Sequence, residues 1–421
     1  MAFVPWIFQG LSPEAQKFLE KRVYAPCTED EKIRYENLAD ELGLNARKAP
    51  KPMHPDGCMQ GSELVLRAIL SQGSDDPDCG MDQDLPEKFD PKNQRKMMGG
   101  VKGPNSQGFR HMYFGGIDIK RPIKTFQIPT GAVGEAPTRA QIMAEKAKSL
   151  IDKGDLTWGI RTLAWSLHYI EDLAQPYHST QVPDFGMTAL GKLFQWPPSK
   201  GFEEMVSETS RMISNYHYGF EAYTSIRMQE GLTNPYISCL DQPRNQSRLG
   251  PNATSAVATP EMWAHAVAAS SRDLAADIGA ASLDFFGKDL MKPGVDIANK
   301  KGSLNYRELV TRPDLTDKRN RLHQASCVAL ANATHAAMLT VEWALKSILE
   351  KEAAAAKAAA EAAEKKAAAE AEAAAKGGTK PGDKKKIQAP AASVTAPDHG
   401  ADAATDSATA PPEPATPNDH D

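Results

Sequence analysis

Apolar residues recur at spacings of three and four over long stretches of this chain, and runs that alternate apolar with polar are nearly absent. The first pattern puts side chains on one face of a helix, whereas alternation would put them on one face of a strand. Leu156 to Ala174 shows it most clearly, with Ile160, Leu163, Leu167 and Ile170 on the repeat. Start and stop signals frame the other segments. Ser12-Pro13 offers a cap and then proline at the first helical position, leading into Glu14 to Tyr24. Thr28 with Glu31 makes a capping box before a helix that Gly43 stops. Ser62 opens a helix through ELVLRAILSQ that ends at Gly73, and Thr138 with Gln141 opens one running toward Gly154. Further helices are predicted over Phe202 to Ser225, Pro260 to Ile278 and Thr316 to Leu349. The predicted fold class is all-α: one multi-helix domain over residues 1–350. Between Gly73 and Pro137 the periodicity lapses into Asp, Gly, Pro and Lys. A loop region of that length is the place to search for ligands.

Composition changes abruptly near residue 351. All the aromatic residues (6 Trp, 10 Tyr, 13 Phe) precede it. Residues 351–376 contain 16 alanines among Glu and Lys and predict a solvated helical spacer. Residues 377–421 are rich in Gly, Pro, Ala, Ser, Thr and Asp without apolar period, the signature of a disordered tail. A coiled coil over the alanine stretch is a weaker alternative, because alanine seams pack poorly.

Over the full 421 residues, 49 Lys+Arg against 54 Asp+Glu give a net charge of −5. No strong cationic field follows, which argues against a non-specific nucleic-acid coat. Five cysteines (Cys27, Cys58, Cys79, Cys239, Cys327) contain no CxxC pair, and their odd number leaves at least one thiol unpaired. No run of 18 apolar residues occurs, so a transmembrane span is not expected. Met1 to Gly10 lacks a basic n-region and a small-residue cleavage site, so a secretory signal peptide is not expected either.

Candidate chemistry lies in two His–carboxylate pairs at i, i+4, a spacing that stacks both side chains on one helix face. They are His168 with Asp172 and His217 with Glu221. Either pair alone is close to chance for ten histidines, and a histidine beside an acid is more often a core or surface residue. Context strengthens the first. Pro176 ends the helix, so His178 lies beyond a turn and faces a different direction from His168. Such a donor set suits zinc.

The segment His168-Tyr169-Ile170-Glu171-Asp172-Leu173-Ala174-Gln175-Pro176-Tyr177-His178 resembles the His-Tyr-x-Gly-Asp-x-x-x-Pro-x-His hallmark of the zinc-dependent phospholipase C / nuclease P1 family, with Glu171 in place of the glycine. Gly73-Ser74-Asp75-Asp76 resembles the loop of the family's first aspartate ligand, and Phe109 to Phe114 its histidine segment. His217-Tyr218-Gly219-Phe220-Glu221 is similar to its His-x-x-x-Glu. Pro260 to Ala266 resembles a stretch of the bacterial phospholipases, in which His265 is expected to be a packed helix histidine. The resemblance covers about residues 60 to 349 and implies the following ligand set. Asp75 or Asp76, with His111 and His168, would hold one zinc. His178, His217 and Glu221 would hold a second, and Asp172 would approach the first and help bind a third. A zinc-activated hydroxide, or water deprotonated by Asp75, would attack phosphorus. The N-terminus departs from the family: Trp6 is internal, no histidine follows it closely and the first is His54, so two zinc ions are expected rather than three.

The implied function is hydrolysis of a phospholipid, with contact to a membrane surface, by a protein acting outside the cytoplasm. Alternatives are a single-strand nuclease or nucleotidase, and a non-catalytic helical protein stabilised by metal. Phe109, Tyr113, Tyr177 and Phe185 would serve equally as base-stacking groups or as an acyl or choline pocket. The remaining histidines (His323, His335, His399, His420) and the sequon at Asn252 are given no role.

Overall fold

The structure, a computed structural model, describes residues 4–377 apart from 25–27, 49, 51–62, 83–105, 116, 121–124, 129–132, 181, 231–233, 251–254, 256 and 299–303. Cys27, Cys58, His54, Asn252, His399, His420 and the tail from 378 lie outside the described residues. The chain divides into two compact units, 1–358 and 359–421. The described part of the second is helical to Gly377, with exposed Ala, Glu and Lys laced by i, i+4 pairs such as Lys366–Glu370.

The first unit opens with helices α1 (Val4–Gly10), α2 (Pro13–Leu19) and α3 (Glu29–Leu42). Ser12 caps α2 by accepting from the Ala15 amide at 3.3 Å, and Gly43, at φ 64°, ends α3 in the left-handed conformation. Two expected helices are cut short by strands. Residues 22–24 form β1 (Arg22–Tyr24) and residues 63–65 form β2 (Glu63–Val65), an antiparallel ribbon pairing Arg22 with Val65 and Tyr24 with Glu63. The helix after β2 is therefore only α4 (Leu66–Gly73). Extended Arg-Val-Tyr and Glu-Leu-Val are each too short for a period-2 signal to stand out.

After α5 (Ser106–His111), a second ribbon, β3 (Ile117–Lys120) with β4 (Thr125–Ile128), interrupts the otherwise helical fold. Then come α6 (Ala136–Asp152), α7 (Leu156–Asp172), α8 (Pro176–Ser179), α9 (Pro198–Gln229), α10 (Pro243–Gln246), α11 (Pro260–Phe286), α12 (Tyr306–Thr311) and α13 (Thr316–Gly377). Thr138 does not cap α6; the helix starts before it, and its hydroxyl donates to Glu261 across to α11 at 2.8 Å.

α7 lies at the centre, packed between α4 and α6, and is buried from Trp158 to Asp172. A helix apolar nearly all round has to be buried in this way. Its polar residues are therefore enclosed with it, and this places the site. Cys239 and Cys327 form a disulfide joining the turn Pro235–Leu240 to α13, with Cα atoms 5.8 Å apart. No described helix is long and apolar enough to cross a membrane.

Candidate metal centre

His168 and Asp172 are one turn apart on α7, and both are buried. The Asp-rich turn after α4 is fastened over them. Asp76 receives Nε and Nη2 of Arg161 at 2.6 and 2.9 Å and the Trp165 indole at 2.8 Å. That clamp presents the Ser74 carbonyl to His168 Nδ1 at 2.7 Å. A carbonyl can only accept, so Nδ1 carries the hydrogen and the Nε2 lone pair of a neutral His168 points the other way.

His111, at the end of α5, mirrors it. Its Nε2 lies 3.1 Å from Asp82, a carboxylate with no exposed surface that also accepts from Arg139 at 2.8 Å and from the Tyr169 hydroxyl. Burial alone would raise the Asp82 carboxyl, but the His111 bond and the Arg139 charge bring it down to about 2. An ionised Asp82 fixes the hydrogen of His111 on Nε2 and turns Nδ1 toward His168 Nε2, 3.1 Å away. Two lone pairs facing each other at that distance need a cation between them. Asp172 Oδ2 lies 2.9 Å from His111 Nδ1 and 3.2 Å from His168 Nε2. Asp78 Oδ1 is 3.6 and 3.5 Å from the same two atoms. Burial works against protonation of His111, yet Asp172 and Asp82 raise its pKa to about 9. Burial likewise opposes protonation of His168, and Asp172 and Asp78 push it well above the usual range. Such a setting draws positive charge, whether a proton or a metal ion.

A second cluster forms beside the first. Pro176 starts the short helix α8, which turns His178 toward α9. His178 Nε2 lies 2.9 Å from His217 Nε2 and 3.4 Å from Glu221 Oε1, and His217 Nε2 is 2.9 Å from Glu221 Oε1. His217 stacks on Tyr177 (5.9 Å, 11°) and on Tyr218 (5.3 Å, 15°), which fixes its ring plane. Burial would raise the Glu221 carboxyl, but His217 and then His178 hold it well below its ordinary value.

The clusters are linked. Asp172 offers Oδ2 to the first, and its Oδ1 lies 3.9 Å from His178 Nδ1, a buried nitrogen without a hydrogen-bond partner among the described residues. Asp78, His111 and His168 form one group of donor atoms mutually within 4.8 Å, and His178, His217 and Glu221 form another. Both groups could hold a metal ion, and both open into one cavity of about 440 Å3.

His111, His168, Asp172, His178, His217 and Glu221 thus come together, whereas Asp75 and Asp76 do not join the ligand atoms. Asp76 is consumed by Arg161 and Trp165, and Asp75 is exposed before the 3-10 turn Asp76–Cys79. The carboxylate delivered to the cluster is Asp78, at the far side of that turn. Asp78 and Asp82 carry no motif of their own, and only the local excess of aspartate over 75–82 hinted at them. Glu171, at the position where the resembled motif has glycine, lines the cavity with neither oxygen hydrogen-bonded among the described residues, and burial raises its pKa to about 8. His265 is exposed rather than packed inside, edge-on to Tyr113. Phe109, Tyr113, Tyr177 and Phe185 do not line the cavity; Tyr218 and Phe220 do.

No protein-family model matches the chain, and no curated protein matches it.

Proposed function

We propose that the chain is a zinc-dependent phosphodiester hydrolase acting on a phospholipid. The linked pair of His–carboxylate clusters in one cavity carries this reading. Mixed imidazole and carboxylate donors suit zinc. Asp78, His111 and His168, with Asp172 beside them, would hold one zinc, and His178, His217 and Glu221 would hold a second. Zinc, when bound, polarises a phosphoryl oxygen and lowers the pKa of water enough to supply a nucleophile near neutral pH.

The chain's own groups do the rest. Ser74 and Asp82 fix the far nitrogens of His168 and His111, so both donors are oriented before a metal arrives. Asp78, at the exposed edge of the first cluster, is the carboxylate placed to take the proton from the attacking water. Burial disfavours its ionisation, but His168 outweighs that and holds its pKa below the ordinary value. It assumes the role that sequence resemblance gave to Asp75.

The cavity lining favours lipid over nucleic acid. It includes Phe220, Met228, Leu330 and Met112 and contains no Lys or Arg among the described residues. A groove for single-stranded nucleic acid would track the phosphates with cationic side chains and stack the bases on aromatics.

The test is metal content by plasma mass spectrometry on the purified chain, followed by parallel assays on phosphatidylcholine and single-stranded DNA. About two zinc ions per chain and chelator-sensitive release of a phosphorylated head group are expected. Faster cleavage of DNA would move the assignment to a nuclease. Retained zinc without turnover on either substrate would leave a non-catalytic protein stabilised by metal.

A further inference from the structure

Residues 185–202, which span the end of the α8–α9 connection and the first residues of α9, carry an apolar tip. Leu190, Leu193, Phe194, Trp196 and Phe202 are all exposed, Phe194 at 90% and Trp196 at 86%. A single exposed apolar side chain needs no explanation, but a contiguous group does. This tip is not slack. A Cβ on Gly201, in the first turn of α9, would lie 2.7 Å from the Lys192 carbonyl oxygen and 3.0 Å from that of Gln195. The tip backbone therefore rests directly on the helix, where only glycine fits. The Ala189 amide donates to Thr209 Oγ1 at 2.9 Å, and Lys192 pairs with Glu204 at 3.5 Å. Clamped in this way, the tip holds its two rings out into solvent.

We propose that this tip docks the protein on a phospholipid membrane surface, with Phe194 and Trp196 entering the interfacial layer. Trp and Phe on a surface element favour the boundary between head groups and acyl chains. Their near-complete exposure also matters. Hot spots for protein partners sit within a broad rim of contacts that excludes water, whereas a fluid interface closes around a projecting pair. The local charge fits a zwitterionic surface: Lys192 and Lys200 are balanced by Glu203 and Glu204, and both lysines reach Glu204. α9 extends unbroken from this clamp to His217 and Glu221, so a docked tip is rigidly connected to the cavity. The inference rests on exposure and packing, and it holds whether or not the hydrolytic proposal does.

The experiment is flotation of the full-length protein with phosphatidylcholine vesicles in the presence of chelator, so that no turnover is involved. Wild type is expected to float, and the double variant Phe194→Ser/Trp196→Ser to lose at least about tenfold in partitioning. Far-UV circular dichroism and zinc-dependent hydrolysis of bis(p-nitrophenyl) phosphate, a soluble diester, should match wild type. Wild type remaining with the soluble fraction, or a variant that floats equally, overturns the proposal. So does light scattering that shows a wild-type dimer lost in the variant, because the tip would then be a self-association surface. Flotation without cleavage of any diester would sink the hydrolytic proposal and leave the docking intact.

Discussion

The two ligand clusters share a cavity but are built by different means. In the first, buried groups orient the donors: Ser74 and Asp82 fix the imidazoles, while Arg161, Trp165, Arg139 and Tyr169 fix the loop and the acid behind them. In the second, aromatic stacking does that work, with His217 between Tyr177 and Tyr218 and Glu221 only partly buried. The first has its histidines and Asp172 buried in the core and only Asp78 at its exposed edge, whereas the second lies at the edge of a long helix with His217 and Glu221 partly exposed. Buried polar networks are demanding because every member must be satisfied, so damage to the first should spread, while damage to the second should stay local.

His168→Ala should have the largest effect. It removes a fully buried donor and leaves Asp78 and Asp172 without their cation, so the first metal, phosphodiester hydrolysis and about 2–5 kcal/mol of stability are expected to go together. Metal analysis, turnover and denaturant melts check this, and an active variant with full metal would break the distinction at its root. Next comes Glu221→Gln, which should cost the second metal while shifting stability by less than about 1 kcal/mol, since the Glu221 side chain is 40% exposed. Cooperative loss of both metals in that variant would mean that the clusters are one unit. Asp82→Asn touches no ligand atom of the cavity. It should weaken the first metal about 10–100-fold and spare the second, as titration with competing chelators would show.

A last prediction concerns pH dependence in the metal-free protein, where no metal is lost. His111 has its pKa raised to about 9 from 6.5, so the stability it contributes is complete below about pH 6.5 and disappears as pH rises through 9. The change is on the order of 3 kcal/mol at most. Glu171, raised to about 8, acts in the same direction between its unfolded value of 4.5 and pH 8. Thermal melts with chelator should therefore fall from neutral to alkaline pH, and Glu171→Gln should flatten the earlier part of the fall. Added zinc should oppose the trend, because its ligands bind better as protons leave them. Metal-free melts that rise toward pH 9 would contradict the charge arrangement of the first cluster.

Some of the site was legible in the chain and some was not, and the division follows the range of the interactions. A helix imposes its spacing locally, so the pairing of His168 with Asp172 and of His217 with Glu221 could be read at i, i+4, and the turn at Pro176 could be read from the missing amide. The start of α7 at Asp155 and the stop of α3 at Gly43 are equally local. Three matters were not local. Which aspartate of the 75–82 stretch stands beside the histidines depended on Arg161, over 80 residues away, capturing Asp76 and leaving Asp78 next to His111 and His168. That Asp82 orients His111 depended on a fold that buries it against α6 and α7. The β1–β2 ribbon depended on a pairing across some forty residues, which short strands do not announce. By itself, then, the sequence determined helices, breaks and the His–carboxylate pairs spaced along one helix face, because backbone geometry and side-chain stacking act over a few residues. Only the tertiary structure decided which carboxylates are free to ligate, which nitrogen of each imidazole faces the cavity, and which apolar side chains stay in water, because those depend on partners supplied by distant parts of the chain.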